Sequence, residues 1–383
     1  MLLIKNGYIK TMAGEDLVGY DLLIDDNGKI EKIEKDIDAP DACETIDATG
    51  KLVTPGLVEA HSHIGLSNIG MGWQGYDYNE TADPITPHLR AIDSINPMCP
   101  SLFDAIKGGV TTACAGPGSR NVIGGNFAAI KLYGKRVDKM IVKYPVAMKC
   151  AFGENTKSCY GQLKKKSPVT RMAVAALLRE TLFKAKEYLA AKEEGKDPTF
   201  DMKLEAMIPV LKREIPLKAH VHRADDIFTA IRIAKEFDLK LTLDHCTDGA
   251  LIADILAKEG YPAFVGPSWG TKSKPEVIHK SFATAAVLHA AGVPVGITSD
   301  APITPLQHLT LYAGLAVAEG LPLDAAWRAI TSVPATYMGI GDRVGSLEVG
   351  KDGDAVIWSQ DPLVAINASV EKTIINGKVV YSK

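Results

Sequence analysis

The middle of the chain alternates short apolar runs with segments of helical character, and this alternation most limits the folds it can adopt. Eight runs are rich in Val, Ile, Leu and Ala, and helical patterns such as residues 172–194 and 224–237 lie between most of them. Strands that alternate with helices usually pair in parallel within one sheet. The eight runs are residues 52–61, 109–117, 125–134, 145–153, 217–222, 239–246, 262–268 and 293–300.

Both chain ends have a different character. Residues 2–9 and 21–33 read as short strands, and so do residues 345–358 and 370–381, with Asn-Gly and Asp-Gly turn signals among them. The sequence therefore predicts an α/β fold: a (β/α)8 TIM-type barrel with a small β-sandwich domain built from both chain termini. The composite β-domain comprises residues 1–55 and 346–383, and the barrel comprises residues 56–345. Little room is left for a helix between the third and fourth barrel strands.

Composition and charge indicate an ordinary globular protein. Forty-three basic residues against 46 acidic ones give a net charge of -3, which offers no reason to expect nucleic acid or an anionic membrane as a partner. No apolar run approaches the ~20 residues that span a bilayer. The six cysteines form no CxxC pair, which favours reduced, buried thiols. We expect a cytoplasmic protein that acts on a small-molecule substrate, and homo-oligomerisation is compatible with the sequence.

Histidines and one aspartate occupy the carboxyl ends of four predicted strands. Barrel enzymes keep their active sites at these ends. Residues two apart in a strand face the same side, so an HxH pair can bind one ion through both imidazoles. One such histidine alone would be unremarkable, but the whole set at strand ends predicts a metal site. The residues are His61, His63, His220, His222, His245 and Asp300.

This ordered set resembles the amidohydrolase superfamily. An HxH follows the first strand, single histidines follow the fifth and sixth strands, and an aspartate follows the eighth. The opening LLIKNGYI, the TPGLVEAHSH stretch and the closing GSLEVGKDGDAVIW extend the likeness over nearly the whole chain. More narrowly, the chain is similar to the imidazolonepropionase-related amidohydrolases, a group that also contains Xaa-Pro dipeptidase-like enzymes.

The resemblance implies one or two divalent ions per chain, with Zn²⁺ as the expected metal. His61 and His63 would bind one ion, and His220 and His245 a second. With a single ion, His220 would join the first pair and His245 would face the substrate as a catalytic group. Asp300 would bind metal, accept a proton from water and pass it to the leaving nitrogen.

Two residues could bridge a pair of metals. Related enzymes use either a carboxylated lysine or a glutamate, and the chain offers Lys149 within AMKCAFG and Glu154 just beyond the strand end. The sequence favours Glu154, because its charge is permanent and requires no carbon dioxide. A site with no bridge at all is the third alternative.

Several residues are candidates for substrate binding. His222 and Arg223 could bind a carboxylate, since guanidinium forms bidentate pairs with such groups; pairing of Arg223 with Asp225 or Asp226 is the alternative. Residues 65–90 form a long loop with the character of a lid, which contains His88. The loop 116–121, which contains Arg120, also reaches the barrel mouth and lacks the lysine of a phosphate-binding loop.

Three functions follow from this pattern. The first is hydrolysis of a C–N bond, other than a typical peptide bond, in a cyclic amide, an N-acyl amino acid or a small peptide. The alternative is an aminohydrolase, a deaminase of a nitrogen heterocycle. The superfamily's deaminases carry a glutamate soon after the fifth-strand histidine, and the run from His220 to Asp226 has none. A non-catalytic assembly protein is the third reading, and retention of all five ligands counts against it.

Overall fold

The computed structural model describes all 383 residues. The strands are β1 (Leu2–Ile9), β2 (Leu17–Ile24), β3 (Ile30–Glu34), β4 (Glu44–Asp47), β5 (Leu52–Pro55), β6 (Leu57–Ser62), β7 (Val110–Ala115), β8 (Ile123–Lys131), β9 (Ile141–Ala151), β10 (Leu217–Val221), β11 (Leu241–His245), β12 (Ala263–Val265), β13 (Val295–Ile297), β14 (Ala355–Trp358), β15 (Val370–Ile375) and β16 (Lys378–Ser382). The helices are α1 (Pro100–Lys107), α2 (Glu154–Lys157), α3 (Arg171–Glu193), α4 (Met202–Leu211), α5 (Ala224–Glu236), α6 (Ala253–Glu259), α7 (Ala283–Ala290), α8 (Leu309–Ala318), α9 (Leu323–Ala329) and α10 (Ser332–Tyr337).

The two chain ends build one sheet, as predicted. Its order is β16-β15-β14-β5-β1-β2-β3, with β4 pairing to β1. Strand β14 from the carboxyl end pairs antiparallel with β5 from the amino end, so that Ala355 lies opposite Pro55. A separate cluster of 13 buried apolar residues forms the core of this terminal domain. Lys131 of the barrel strand β8 links the barrel to this terminal domain. Its Nζ lies 2.5 Å from Asp354 and 3.0 Å from Asp352, and all three side chains are buried.

The predicted barrel is confirmed. A second sheet has the order β13-β12-β11-β10-β9-β8-β7-β6, and each of the eight predicted apolar runs contributes one strand. Its two edge strands meet through the buried Glu59 of β6, whose carboxylate accepts hydrogen bonds from the hydroxyls of Thr298 and Ser299. The Thr298 hydroxyl also lies 2.8 Å from the carbonyl oxygen of His61. These contacts tie the end of the last strand to the end of the first strand that carries His61 and His63.

The third barrel strand departs from the regular pattern. Strand β8 runs antiparallel to both β7 and β9, whereas the other neighbouring strands are parallel. Residues 132–140 are all that connects β8 to β9. A parallel crossover needs a dozen or more residues, so this short connection permits only an antiparallel pair. None of the ten helices combines the length and apolar character that a bilayer crossing requires.

Candidate metal centre

Five of the predicted ligands converge where the barrel strands end. His61 and His63 stand at the end of β6, His220 lies in β10, His245 ends β11, and Asp300 follows β13. Ring centroids are 5.3 Å apart for His61 and His63, 5.0 Å for His61 and His245, and 4.5 Å for His220 and His245. The Oδ1 atom of Asp300 lies 3.4 Å and 3.2 Å from the Nε2 atoms of His61 and His63.

Hydrogen bonds to acceptors fix the orientation of three of these rings. In each case Nδ1 lies 2.7 Å from an oxygen that can only accept, so Nδ1 carries the proton and Nε2 keeps its lone pair. The three Nε2 atoms point toward the centre of the barrel mouth. The bonds are His61 to Asp244 Oδ2, His63 to the Gly116 carbonyl, and His245 to the Gly266 carbonyl.

The resulting donor set fits a divalent cation. Nε2 of His245 and Oδ1 of Asp300 are buried without any hydrogen-bond partner. Ligand atoms of His61, His245 and Asp300 lie within 4.8 Å of one another. Buried lone pairs that face each other without a proton between them are unfavourable, whereas a cation at that point would satisfy all of them. Imidazole nitrogens and carboxylate oxygens are standard zinc ligands.

Backbone conformation at two of the ligands is unusual. His245 and Asp300 have φ angles of 70° and 52°, in the left-handed region that side chains other than glycine's disfavour. Such conformations persist only where surrounding contacts impose them, and they concentrate at functional sites. In both residues the turn comes where the strand ends, directly at the mouth of the barrel.

Burial keeps the histidines uncharged. It lowers the pKa of His61, with the neighbouring Lys149 charge acting in the same direction. Burial lowers the pKa of His245 to about 3 and holds those of His220 and His222 well below the usual value. The imidazoles of His61, His220, His222 and His245 are therefore neutral at pH 7, which is the form that binds a metal.

A buried ion pair supports the ring of His61. Asp244, whose other oxygen accepts from His61, receives a hydrogen bond of 2.9 Å from the Lys218 ammonium, and neither side chain has any exposed surface. Burial opposes ionisation of Asp244, but the charge of Lys218, the contacts with His61 and the charge of Lys149 together outweigh it and hold the pKa of the carboxyl far below its usual range. This pair was not among the predicted site residues. Its signal was a charged residue of each sign inside the apolar runs LKAHV and LTLDH.

Lys149, the alternative candidate for bridging two metals, lies among the histidines. Its side chain is completely buried, and its Nζ lies 3.2 Å from Nε2 of His61. The ring of Phe127 is 5.7 Å from the same Nζ, and no carboxylate lies within ion-pair distance of it. Burial lowers the pKa of Lys149 to about 8. A lysine amine is thus held beside the candidate ligands with a single polar contact.

The structure does not bring Glu154 to the histidines. Glu154 begins α2, is half-buried and contributes nothing to the lining of the barrel mouth. Gly153 has a φ of 85° and turns the chain as β9 ends, and the Glu154 N–H then donates to Glu276 at 2.8 Å. The structure therefore favours Lys149 over Glu154, the reverse of the sequence-based preference, as the residue placed to bridge two metals. The turn at Gly153 re-aims the chain after β9.

Glu276 is a further buried carboxylate that the sequence did not suggest. It is 2% exposed, and its Oε1 lies 3.9 Å from Nε2 of His220 and 3.8 Å from Nε2 of His222. Its charge is balanced by Lys274, 2.5 Å away. The Nδ1 atom of His222 lies 2.7 Å from the Thr247 hydroxyl, and the ring stacks on His245 at 4.9 Å.

A cavity of about 380 Å³ opens above the histidines. His222 and Arg120, two of the four predicted substrate-binding residues, line it. The other two do not. Arg223 pairs with Asp225 at 2.8 Å on the surface, which is the local alternative. His88 lies in a segment that runs beside β8, where the N–H of Asn126 donates to the Leu89 carbonyl, and it does not line the cavity.

Part of the loop after His63 forms one wall of the cavity. Tyr78 stacks on His63 with ring centroids 4.9 Å apart, and Asn79 lines the cavity beside it. Trp73, farther out on the same loop, is 81% exposed. The part of the loop nearest the histidines is thus packed against a candidate ligand.

Comparisons with known proteins agree with this geometry. A model of the Amidohydrolase family matches residues 52–380. Amidohydrolase tasK of Hapsidospora irregularis is 29% identical over 393 residues, which cover 94% of this chain but only 40% of tasK. A crystal structure of an amidohydrolase from Thermotoga maritima MSB8 is 40% identical, with 100% of both chains covered and a TM-score of 0.95. A prolidase in complex with N-methylphosphonate-L-proline is 17% identical over 100% of each chain, with a TM-score of 0.59, and shares the fold.

Proposed function

The chain belongs to the amidohydrolase family, and from that premise we propose that it is a zinc-dependent hydrolase of C–N bonds in small molecules. The observation that carries the proposal is the set of buried, unpartnered lone pairs on His245 and Asp300 beside the other histidines. Buried lone pairs of two imidazoles and one carboxylate that lie within 4.8 Å of one another are unfavourable unless a cation satisfies them.

We propose that the ligands serve two ions on either side of Lys149. His61, His63 and Asp300 would hold one ion, and His220 and His245 a second, with a carboxylated Lys149 shared between them. When bound, such ions act as Lewis acids and make a water molecule nucleophilic near neutral pH. The proposal covers a substrate small enough for a cavity of about 380 Å³.

Carboxylation would resolve the unusual situation of Lys149. The neutral amine attacks the carbon of carbon dioxide, an N–C bond forms, and one proton leaves to solvent. An isolated buried ammonium, which is costly, becomes an anion among groups that attract cations. Its position 3.2 Å from His61 supports this role better than the half-buried position of Glu154.

Asp300 is the proposed general acid and base. Its carboxylate accepts a proton from the attacking water and returns it to the nitrogen that leaves, so that one group serves both steps. His222 would orient the scissile carbonyl. If the Thr247 hydroxyl donates to Nδ1 of His222, the ring proton sits on Nε2, where it can donate to a carbonyl oxygen in the cavity.

Deamination of a nitrogen heterocycle is the second candidate function. The segment after His220 lacks the glutamate that the family's deaminases would use, but the buried Glu276 approaches His220 from a different loop. Its engagement by Lys274 and by the Glu154 N–H leaves it less free to shuttle protons. Hydrolysis of an amide is therefore the favoured reaction.

A substrate panel tests the proposal. Zinc-loaded protein is incubated with N-acyl amino acids, dipeptides, hydantoins, lactams and aminated heterocycles, and amine, carboxylate and ammonia are measured separately. We expect new amine and carboxylate groups in equal amounts from at least one amide class, with no ammonia. Ammonia released from heterocycles alone would favour the deaminase, and protein carrying Asp300→Asn provides the background rate.

A further inference from the structure

The cavity above the histidines carries two positive side chains without partners. Arg120, Lys274 and Lys280 line it, against Asp300 as the lining carboxylate. Lys274 is satisfied, because it binds Glu276 at 2.5 Å and the Asn155 side chain at 2.9 Å. The side chains of Arg120 and Lys280 make no hydrogen bond, and no carboxylate lies within 4.0 Å of either. Two unpaired cations therefore face the space that the substrate would fill.

Lys280 is the more informative of the two. It is half-buried, and it lies close enough to Asp300 for that carboxylate to offset part of the pKa lowering that burial causes. Arg120 is exposed at the rim, on the loop after β7. Lys280 thus stands near the group that would protonate the leaving nitrogen, while Arg120 stands at the entrance.

The rest of the lining is suited to a polar ligand. Only six of the 26 lining residues are hydrophobic. Hydroxyl groups are frequent, among them those of Ser119, Ser268, Ser273, Ser281 and Thr284. An ammonium that stays unpaired when a ligand displaces its water loses hydration without compensation, so an anionic ligand is the one that this cavity can bind favourably.

We propose that the substrate carries a carboxylate attached to the leaving amine, and that Lys280 binds this carboxylate while Arg120 attracts it at the cavity entrance. The proposal rests on the proposed hydrolase function and names its substrate class: N-acyl amino acids or dipeptides with a free carboxyl end. In such molecules the carboxylate is two bonds from the scissile nitrogen, which matches a lysine near Asp300. The loop 116–121 lacks the lysine of a phosphate-binding loop, so a carboxylate fits better than a phosphate.

Matched substrate pairs test this inference. The zinc-loaded enzyme is assayed with N-acyl amino acids and with their carboxamides, which differ only in the charge of that group. We expect the acids to be hydrolysed with a kcat/KM roughly 10- to 100-fold higher, mainly through KM, as hydrogen bonds to charged groups provide. Lys280→Met should remove that preference, so that acids and carboxamides have similar kcat/KM values, whereas Lys280→Arg should retain it.

Two controls separate specific binding from general charge. Lys272→Met removes an exposed lysine of the same loop that does not line the cavity, and Arg223→Gln removes the surface arginine paired with Asp225. Both should leave the preference unchanged, whereas Arg120→Gln should reduce it, most clearly at low salt. Equal kcat/KM for acids and carboxamides in the unsubstituted enzyme would overturn the inference and leave the hydrolase proposal intact.

Equilibrium binding makes the outcome independent of turnover. Calorimetric titration of the metal-free protein with the same acids and carboxamides requires no catalysis. Tighter binding of the acids, lost in Lys280→Met, would support the carboxylate site even if no panel member were hydrolysed. Failure of every amide to react would then count against the hydrolase function alone, and equal binding of both forms would count against the carboxylate site.

Discussion

Replacing Asp300 with asparagine should lower kcat by ~10²–10⁴, the range for losing a group that moves protons in the transition state. The amide keeps the size of the side chain but cannot accept a proton. Its Oδ1 lies 3.2 Å from Nε2 of His63, so the variant should still occupy the same space at the end of the barrel. Steady-state kinetics on whichever amide the panel identifies provides the measurement.

Metal content must be measured on the same preparation, because Asp300 is also a proposed ligand. Asp342→Asn serves as the matched control, because Asp342 is exposed and does not line the cavity. Its kcat and metal content should equal those of the unsubstituted enzyme. If Asp300→Asn kept near-normal kcat with full metal, proton transfer would have to be assigned elsewhere, and His245 would be the next candidate.

Lys149→Ala should lose one of the two ions and at least ~10² in kcat, because the proposed bridge supplies an anion that, together with Asp300, neutralises two close cations. In the unsubstituted protein, metal occupancy should rise when bicarbonate is present during loading. Short carboxylic acids that fit the space left by the side chain should partly restore both metal binding and turnover to the variant.

Glu154→Ala is the control for that experiment. Its side chain lines no part of the cavity, so the variant should bind two ions and show no dependence on bicarbonate beyond that of the unsubstituted protein. The opposite pattern, with Glu154→Ala short of one ion and Lys149→Ala fully loaded, would return the bridging role to Glu154.

Much of the fold was predictable, because the periodicity of apolar residues and the position of turn residues along the chain determine its strands and helices. Apolar runs of strand length, separated by helical patterns, identified all eight barrel strands, and turn signals at both ends identified the composite sheet. The direction of β8 was not predicted, although the short connection of residues 132–140 contained the reason. Parallel order was assumed for every strand, and the length of one loop decides otherwise.

The sequence predicted mainly those site residues that lie at the ends of barrel strands. The histidines and Asp300 stand at fixed places in the barrel pattern, so their proximity followed from the fold. Glu276 reaches the site from a loop, and Lys218 with Asp244 lies one layer below it; contacts of this kind depend on side-chain directions that spacing does not encode. The orientation of Arg223 is set by a local contact, because its guanidinium binds the carboxylate of Asp225, two residues away.

Elemental analysis of gently purified protein tests the central claim most directly. The account predicts between one and two equivalents of zinc per chain, with two after loading in the presence of bicarbonate. Removal of the metal by a chelator should abolish hydrolysis, and added zinc should restore it. A protein that contains no metal and takes none up on reconstitution would contradict the account, because the unpartnered atoms of His245 and Asp300 would then need a different explanation.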